Sequence, residues 1–143
     1  MRDINAIIVH HTATPEEGWT LERVRSFHVE DRGWAEVGYH YVIETSPVVT
    51  LRVGRRADQM GAHARGANQG TLAISVIGNY ASEEIRGEVL CFLSAAIADL
   101  CISYGVSVDN VRGHSEVTPP GYTQCPGFSM TTVRSRVTEI LSR

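Results

Sequence analysis

A mostly apolar run at residues 4–10 is the feature that most constrains the fold of this chain. Apolar residues without polar alternation over such a short length predict a strand buried in the centre of a sheet. A second run, at residues 72–78, has the same character and predicts a second strand. The segments 38–44 and 48–53 flank a Ser-Pro pair and predict a hairpin that joins the same sheet.

Three segments with apolar residues at helical spacing alternate with these strands. We expect helices at residues 20–31 and 82–104 and after Ser129, with a short strand at residues 106–111 before the last one. This order predicts a single α/β domain over residues 1–143, with a central mixed β-sheet flanked by about three α-helices. The residues expected to share the apolar helix faces are Leu21, Val24, Phe27, His28, Ile85, Val89, Phe92, Leu93, Ala96, Ile97, Leu100, Val133, Val137, Ile140 and Leu141.

Charge and cysteine content limit the classes of function. The formal net charge of −3 lacks the basic excess of a phosphate-binding surface, so nucleic acid is not expected as a partner. Three cysteines do not complete a disulfide framework, and Cys91 and Cys101 fall on an apolar helical pattern where small buried hydrophobes are expected. The amino terminus has too short an apolar run for a signal peptide or a membrane span, so we expect no membrane insertion.

Residues 111–128, VRGHSEVTPPGYTQCPGF, place His114 and Cys125 in one polar, proline-rich loop. A further pair, His10 and His11, ends the first apolar run. Imidazole nitrogen and thiolate sulfur both suit zinc, and three protein ligands leave its fourth position open for hydrolytic chemistry. Because successive strand side chains point to opposite faces, the two adjacent histidines do not easily face one metal together. The residues therefore predict an open zinc site, with an ordinary loop cysteine as the alternative for Cys125.

Five segments follow one another along the chain: VHHTAT, RGWAEVGYHYVI, GAHARGANQGTLAISVIGNY, GHSEV and TQCPGF. Together they resemble the zinc-dependent N-acetylmuramoyl-L-alanine amidases, the family that includes small phage endolysins and peptidoglycan recognition proteins. The resemblance covers essentially the whole chain. It implies that His10, His114 and Cys125 bind Zn²⁺ as the only cofactor. It also implies peptidoglycan as the substrate, cleaved between N-acetylmuramic acid and the L-alanine of the stem peptide.

The resemblance assigns roles to four further side chains. Tyr39 matches a catalytic tyrosine whose hydroxyl stabilises the developing oxyanion, and Thr123 matches a position that supports the tetrahedral intermediate. His63 and Asn68 match groove residues that contact the substrate. A strand aromatic is the alternative for Tyr39, and a plain loop role is the alternative for His63 and Asn68.

Several neighbouring features carry weaker predictions. Glu116 is interpreted either as an acceptor that orients the imidazole of a metal ligand or as a proton carrier, with a solvated loop carboxylate as the alternative. The segment 117–124 is longer than the usual loop of the family, which affects the alignment of Thr123. His28 and His40 are expected to be structural histidines with satisfied hydrogen bonds.

The presence of both Cys125 and Tyr39 favours an active enzyme over a non-lytic peptidoglycan-binding module, because binding members of the family sometimes lose the cysteine. A chain without a signal, an anchor or a separate wall-binding domain resembles a monomeric phage endolysin. Such a protein is made in the host cytoplasm and reaches the wall through a holin-type pore, causing lysis. A cytosolic amidase that recycles anhydro-muropeptides is the second enzymatic alternative. Because some phage amidases bind host RNA polymerase, binding of that protein is a further alternative for this chain.

Overall fold

Five strands and three helices form the fold over residues 2–143, the part of the chain that the structure, a computed structural model, describes. The strands are β1 (Ala6–His11), β2 (Tyr41–Glu44), β3 (Thr50–Val53), β4 (Thr71–Val76) and β5 (Val111–Gly113). The helices are α1 (Leu21–Ser26), α2 (Gly87–Tyr104) and α3 (Met130–Leu141). The predicted fold class, a mixed sheet flanked by about three helices, is confirmed.

The sheet has the strand order β3-β2-β4-β1-β5. Strand β1 is parallel to both of its neighbours, β4 and β5, whereas β2 and β3 form the antiparallel hairpin. All six residues of β4 and five of the six in β1 are buried, as the two apolar runs predicted. Because parallel strands end at the same edge of a sheet, the carboxyl ends of β1 and β5 bring the two histidine-bearing segments together.

Both faces of the sheet are covered. Helices α2 and α3 pack on one face through a core that includes Val9, Ile74, Leu93, Ile97 and Val133. A smaller cluster forms with α1, and its members are Leu21, Val24, Val37, Val42 and Ile77. Helix α2 has the length and apolar composition of a membrane span, but its buried residues pack into this core as in the central helix of a globular domain.

Helix α2 begins at Gly87, and the prediction of a start at Ser82 is wrong. Residues 82–84 are exposed and polar, so they have no apolar surface to bury, and no side chain caps the first turn. The helix ends as its glycine predicted, since Gly105 takes the left-handed conformation at φ 67°. The prediction of the last strand at residues 106–111 is also wrong, because residues 108–110 form a 3₁₀ turn capped by the Ser107 side chain and the strand begins only at Val111.

Two residues expected on buried helix faces are exposed. The helical segment 20–31 widens into a π-helical turn at Phe27–Asp31, which changes the register and leaves Phe27 at 42% exposure while His28 is buried. On α2, Cys101 is buried as predicted, but Cys91 is exposed beside α3, where it accepts a hydrogen bond from Arg136. The apolar pattern alone did not separate the edge of the helix face from its centre.

Candidate metal centre

Three side chains from separate parts of the chain converge at the carboxyl edge of the parallel strands. His10 lies near the end of β1, His114 directly follows β5, and Cys125 lies in the loop before α3. One ligand atom from each lies within 4.8 Å of the other two. His10 and Cys125 are buried, and Cys125 Sγ lies 3.7 Å from His10 Nδ1. The structure thus brings together the three residues predicted to bind a metal.

The spacing and the donor atoms fit a tetrahedral zinc ion. Bonds of about 2.1 Å to nitrogen and about 2.3 Å to sulfur at a tetrahedral angle place the two donor atoms about 3.6 Å apart. The observed 3.7 Å between Cys125 Sγ and His10 Nδ1 matches this separation. In addition, His114 Nε2 is buried without a hydrogen-bond partner among residues 2–143. Two nitrogens and one sulfur are a donor set typical of an open zinc site.

His11 lies on the opposite face of β1 and has a structural role. Its Nδ1 accepts a hydrogen bond from the Tyr80 backbone N–H at 3.0 Å, and its own backbone N–H donates to Cys125 Sγ at 3.3 Å. Burial raises the pKa of the Cys125 thiol to about 12, an effect that the His11 N–H opposes. The thiol is therefore protonated in the metal-free protein, and metal binding releases its proton.

Backbone contacts hold the Cys125 loop in place. The Cys125 carbonyl accepts from Ser115 N–H at 2.8 Å, and the Cys125 N–H donates to Thr123 Oγ1 at 3.1 Å. Gly127 has φ 88° and packs directly against the backbone of Tyr80. The Thr123 hydroxyl oxygen therefore positions the cysteine, while its hydrogen stays available, so the role in stabilising the intermediate stays a prediction.

Tyr39 lies beside the three ligands. Its ring centroid is 5.2 Å from that of His10. Burial, together with the nearby Cys125, raises the pKa of the Tyr39 hydroxyl to about 12. At neutral pH this hydroxyl carries its proton and is able to donate a hydrogen bond. The position predicted for a catalytic tyrosine thus holds a donor next to the candidate metal.

His63 contacts His10 and, together with Asn68, lines an open cavity of about 270 Å³. His63 Nδ1 is 2.9 Å from His10 Nε2, and His63 Nε2 is 3.1 Å from Thr71 Oγ1. Both ring nitrogens therefore have partners within the fold, and the predicted contact of His63 and Asn68 with the substrate stays a prediction. Asn68 Oδ1 accepts from the backbone N–H groups of His63 and Ala64, both at 2.9 Å, so its carbonyl oxygen shapes the loop.

A comparison with family models gives a match over residues 1–128 to the family described as N-acetylmuramoyl-L-alanine amidase. The chain belongs to this amidase family. Among curated relatives, peptidoglycan-recognition protein SC2 of Drosophila melanogaster is 31% identical over 131 residues, covering 86% of this chain and 68% of the relative. The endolysin of Escherichia phage T7 is 28% identical over 137 residues, covering 88% of this chain and 82% of the endolysin.

Solved structures give the same family. N-acetylmuramoyl-L-alanine amidase LysC from Clostridium intestinale URNW superposes with a TM-score of 0.83 at 26% identity, covering 96% of this chain and 87% of that one. Bumblebee PGRP-SA superposes with a TM-score of 0.75 at 28% identity, covering 89% of this chain and 77% of that one. The resemblance inferred from the five sequence segments is therefore confirmed.

In this member of the amidase family, the Glu116 carboxylate is held by hydrogen bonds and an ion pair within the fold. Its carboxylate accepts from Gly113 N–H at 2.8 Å and from the two terminal nitrogens of Arg134 at 2.8 and 3.0 Å. The Arg134 guanidinium lowers the pKa of Glu116, assisted by the Gly113 N–H, so the carboxylate stays ionised at neutral pH. These contacts tie the His114 segment to α3, which gives Glu116 a structural explanation.

A cavity of about 310 Å³ adjoins Tyr39. Its lining includes Trp19, Phe27 and Arg32, and the sequence predicted neither Phe27 nor Arg32 as part of a site. Neither residue belongs to a distinctive sequence motif. Phe27 is exposed at the π-helical turn, and the Arg32 guanidinium lies 5.1 Å from the centroid of its ring. The cavity offers an aromatic and cationic surface next to Tyr39.

Two other buried histidines of this amidase-family chain are structural, as the sequence predicted. His28 Nδ1 accepts from Gly38 N–H at 2.9 Å, and His40 Nδ1 accepts from Ala73 N–H at 3.0 Å. Burial, with the charge of Arg32, lowers the pKa of His28 to about 4, and burial is also the main cause that lowers the pKa of His40 to about 4. Both imidazoles are neutral in the folded protein at neutral pH.

These low pKa values predict a loss of stability in acid. Below about pH 6.5 an unfolded histidine becomes protonated, whereas the folded histidine stays neutral, so the unfolded state binds more protons. The free energy of unfolding therefore falls as the pH is lowered, by up to roughly 1.4 kcal/mol per pH unit for each histidine. The fall continues until the folded pKa of about 4 is reached. We expect His28→Asn, which retains an acceptor for Gly38 N–H, to show a shallower pH slope in urea unfolding of the zinc-free protein. An unchanged slope would contradict the assignment.

Proposed function

We propose that this protein is a zinc-dependent N-acetylmuramoyl-L-alanine amidase that hydrolyses the amide between N-acetylmuramic acid and the L-alanine of the stem peptide. The observation that carries the proposal is the convergence of His10, His114 and Cys125 beside Tyr39. Three ligands leave a coordination position for the chemistry, whereas a structural zinc site is closed by four. Membership of the amidase family gives the class of substrate.

The three ligands would hold the zinc ion, and the ion, when bound, supplies Lewis acidity and a water of lowered pKa. In the net reaction the water oxygen bonds to the lactyl carbonyl carbon and the C–N bond breaks. The products are a carboxylate on the muramic acid and a free amino group on L-alanine. The protein residues must therefore stabilise negative charge on the carbonyl oxygen.

Tyr39 is the residue best suited to that task. Its protonated hydroxyl donates a hydrogen bond without bringing a second charge into the site, and burial strengthens the interaction. Thr123 is able to add a second, weaker donor, since its oxygen already accepts from Cys125 N–H while its hydrogen remains available. The cavity lined by Trp19, Phe27 and Arg32 lies next to Tyr39 and provides room for the peptide or sugar on one side of the cleaved bond.

For the biological setting we propose a monomeric endolysin that acts on the wall from within an infected cell and causes lysis. The phage endolysins among the relatives support this setting, with 82% of the T7 protein covered by the match. Release from the cytoplasm through a holin-type pore is part of the same proposal.

Tyr39→Phe tests the role of the hydroxyl. We expect the variant to bind zinc as the wild type does and to release soluble peptides from purified peptidoglycan with a kcat lowered by roughly 10²–10³-fold, the usual effect of losing one oxyanion donor. The comparison uses zinc-loaded proteins of equal metal content. A variant with wild-type kcat would remove Tyr39 from the chemistry, and a wild type that binds peptidoglycan without releasing peptides would favour a binding module.

A further inference from the structure

We infer that His63 and Thr71 form a positioning relay that fixes the tautomer of His10, so that His10 Nδ1 presents a lone pair to the metal. The inference rests on the proposed metal site and extends it to residues that do not touch the ion. His63 ring atoms contact His10 on one side and Thr71 on the other. Neither residue is among the three ligands.

The direction of the relay is set by a backbone carbonyl. The Thr71 hydroxyl lies 2.7 Å from the Ala67 carbonyl oxygen, and a carbonyl oxygen only accepts, so Thr71 must donate this bond. A lone pair of Thr71 Oγ1 then faces His63 Nε2 at 3.1 Å. His63 therefore carries its hydrogen on Nε2 and donates to Thr71.

The same reasoning extends to His10. With its hydrogen on Nε2, neutral His63 has a lone pair on Nδ1, which lies 2.9 Å from His10 Nε2. His10 must then donate from Nε2, which leaves the lone pair on its Nδ1. That atom is the one 3.7 Å from Cys125 Sγ, on the side where the candidate ligand atoms meet. Each hydrogen position thus follows from the one before it.

The surrounding loop holds the relay rigidly. Asn68 Oδ1 accepts from the N–H groups of His63 and Ala64, which fixes the backbone that carries the relay histidine. Thr71 is buried at the start of β4, where it pairs with Ala6 of β1. The rings of His10 and His63 meet edge to face at 85°. Strands β1 and β4 therefore set the distance between the relay and the ligand.

The alternative tautomer of His10 is not competent for binding. A hydrogen on Nδ1 would point towards Cys125 Sγ and occupy the lone pair that a metal needs. Loss of a hydrogen-bond partner behind a ligating histidine typically lowers metal affinity by about 10–100-fold. We expect that range for loss of the acceptor atom of His63.

Three variants separate the acceptor atom from the shape of the ring. His63→Phe retains a ring without an acceptor, His63→Asn retains an oxygen close to the place of Nδ1, and Thr71→Val removes the hydroxyl at nearly constant volume. Zinc affinity is measured by competition with a chromophoric chelator. We expect His63→Phe to bind zinc about 10–100-fold more weakly than the wild type, with His63→Asn restoring much of the loss. Equal affinities of His63→Phe and the wild type would overturn the relay.

The tautomers are read directly in the metal-free protein by ¹⁵N NMR of the imidazole nitrogens. We expect His10 to be protonated on Nε2 in the wild type and to gain the other tautomer in Thr71→Val. A wild-type His10 protonated on Nδ1 overturns the inference without any measurement of activity. Conversely, a protein that shows the expected tautomers and zinc affinities but does not cleave peptidoglycan refutes the proposed function alone.

Discussion

Replacing Cys125 by serine is expected to abolish both zinc retention and peptidoglycan hydrolysis. The thiolate is the one soft, anionic donor among the three ligands, and a serine hydroxyl at neutral pH supplies neither the charge nor the polarisability that zinc prefers. Removing a ligand should cost more than the roughly 10–100-fold loss in affinity that follows removal of a residue behind a ligand. Metal content after dialysis and peptide release from purified peptidoglycan measure the two effects.

Cys91→Ser is the matched control for this substitution. Cys91 is exposed on α2, outside the ligand loop, and its thiol accepts a hydrogen bond from the Arg136 guanidinium. We expect this variant to retain the zinc content and activity of the wild type. If Cys125→Ser kept a full equivalent of zinc and full activity, Cys125 would not be a ligand.

The substitution Gly127→Ala is expected to cause the second large loss. At φ 88° a residue with a Cβ is strained, and here that Cβ would also lie 2.5 Å from the Tyr80 carbonyl oxygen and 2.6 Å from Ala81 N. The left-handed conformation costs about 1–2 kcal/mol and the forced backbone shift roughly 1–3 kcal/mol more, so we expect the free energy of unfolding to fall by roughly 2–5 kcal/mol. Because the shift begins two residues after Cys125, zinc affinity should fall as well.

Gly121→Ala separates strain from the close backbone contact. Gly121 lies in the same loop at φ 80°, but no atom lies within 4 Å of the place its Cβ would take. This variant should lose only about 1–2 kcal/mol and keep its zinc affinity. The free energies come from urea unfolding of both zinc-free variants. Equal losses in the two would show that the contact with Tyr80 does not hold the cysteine loop.

The central sheet and the metal ligands were predictable because their signals are local. A mostly apolar run predicted β1 as a buried strand, and the alternation of strand side chains separated His10 from His11. The other two ligands, His114 and Cys125, were predicted from the segment 111–128 and from its resemblance to the amidase family. For these residues, sequence neighbours alone decide on which side of the sheet a side chain lies.

The role of His63 was not predictable in this way. Its partners, His10 and Thr71, lie 53 and 8 residues away in the sequence, and its orientation depends on the pairing of β1 with β4. The exposure of Phe27 depends in turn on a π-helical turn that helical periodicity does not reveal. Both features arise from packing between elements, and propensity carries no information about such packing.

The bond cleaved in peptidoglycan tests the central claim most directly. Purified peptidoglycan is digested with the zinc-loaded protein, and the soluble products are identified by mass spectrometry, with the Cys125→Ser variant as the control. We expect stem peptides that begin with a free L-alanine amino group, absent from the control digest. Products cleaved within the glycan or within the stem peptide, or none from folded and zinc-replete protein, would contradict the proposed amidase.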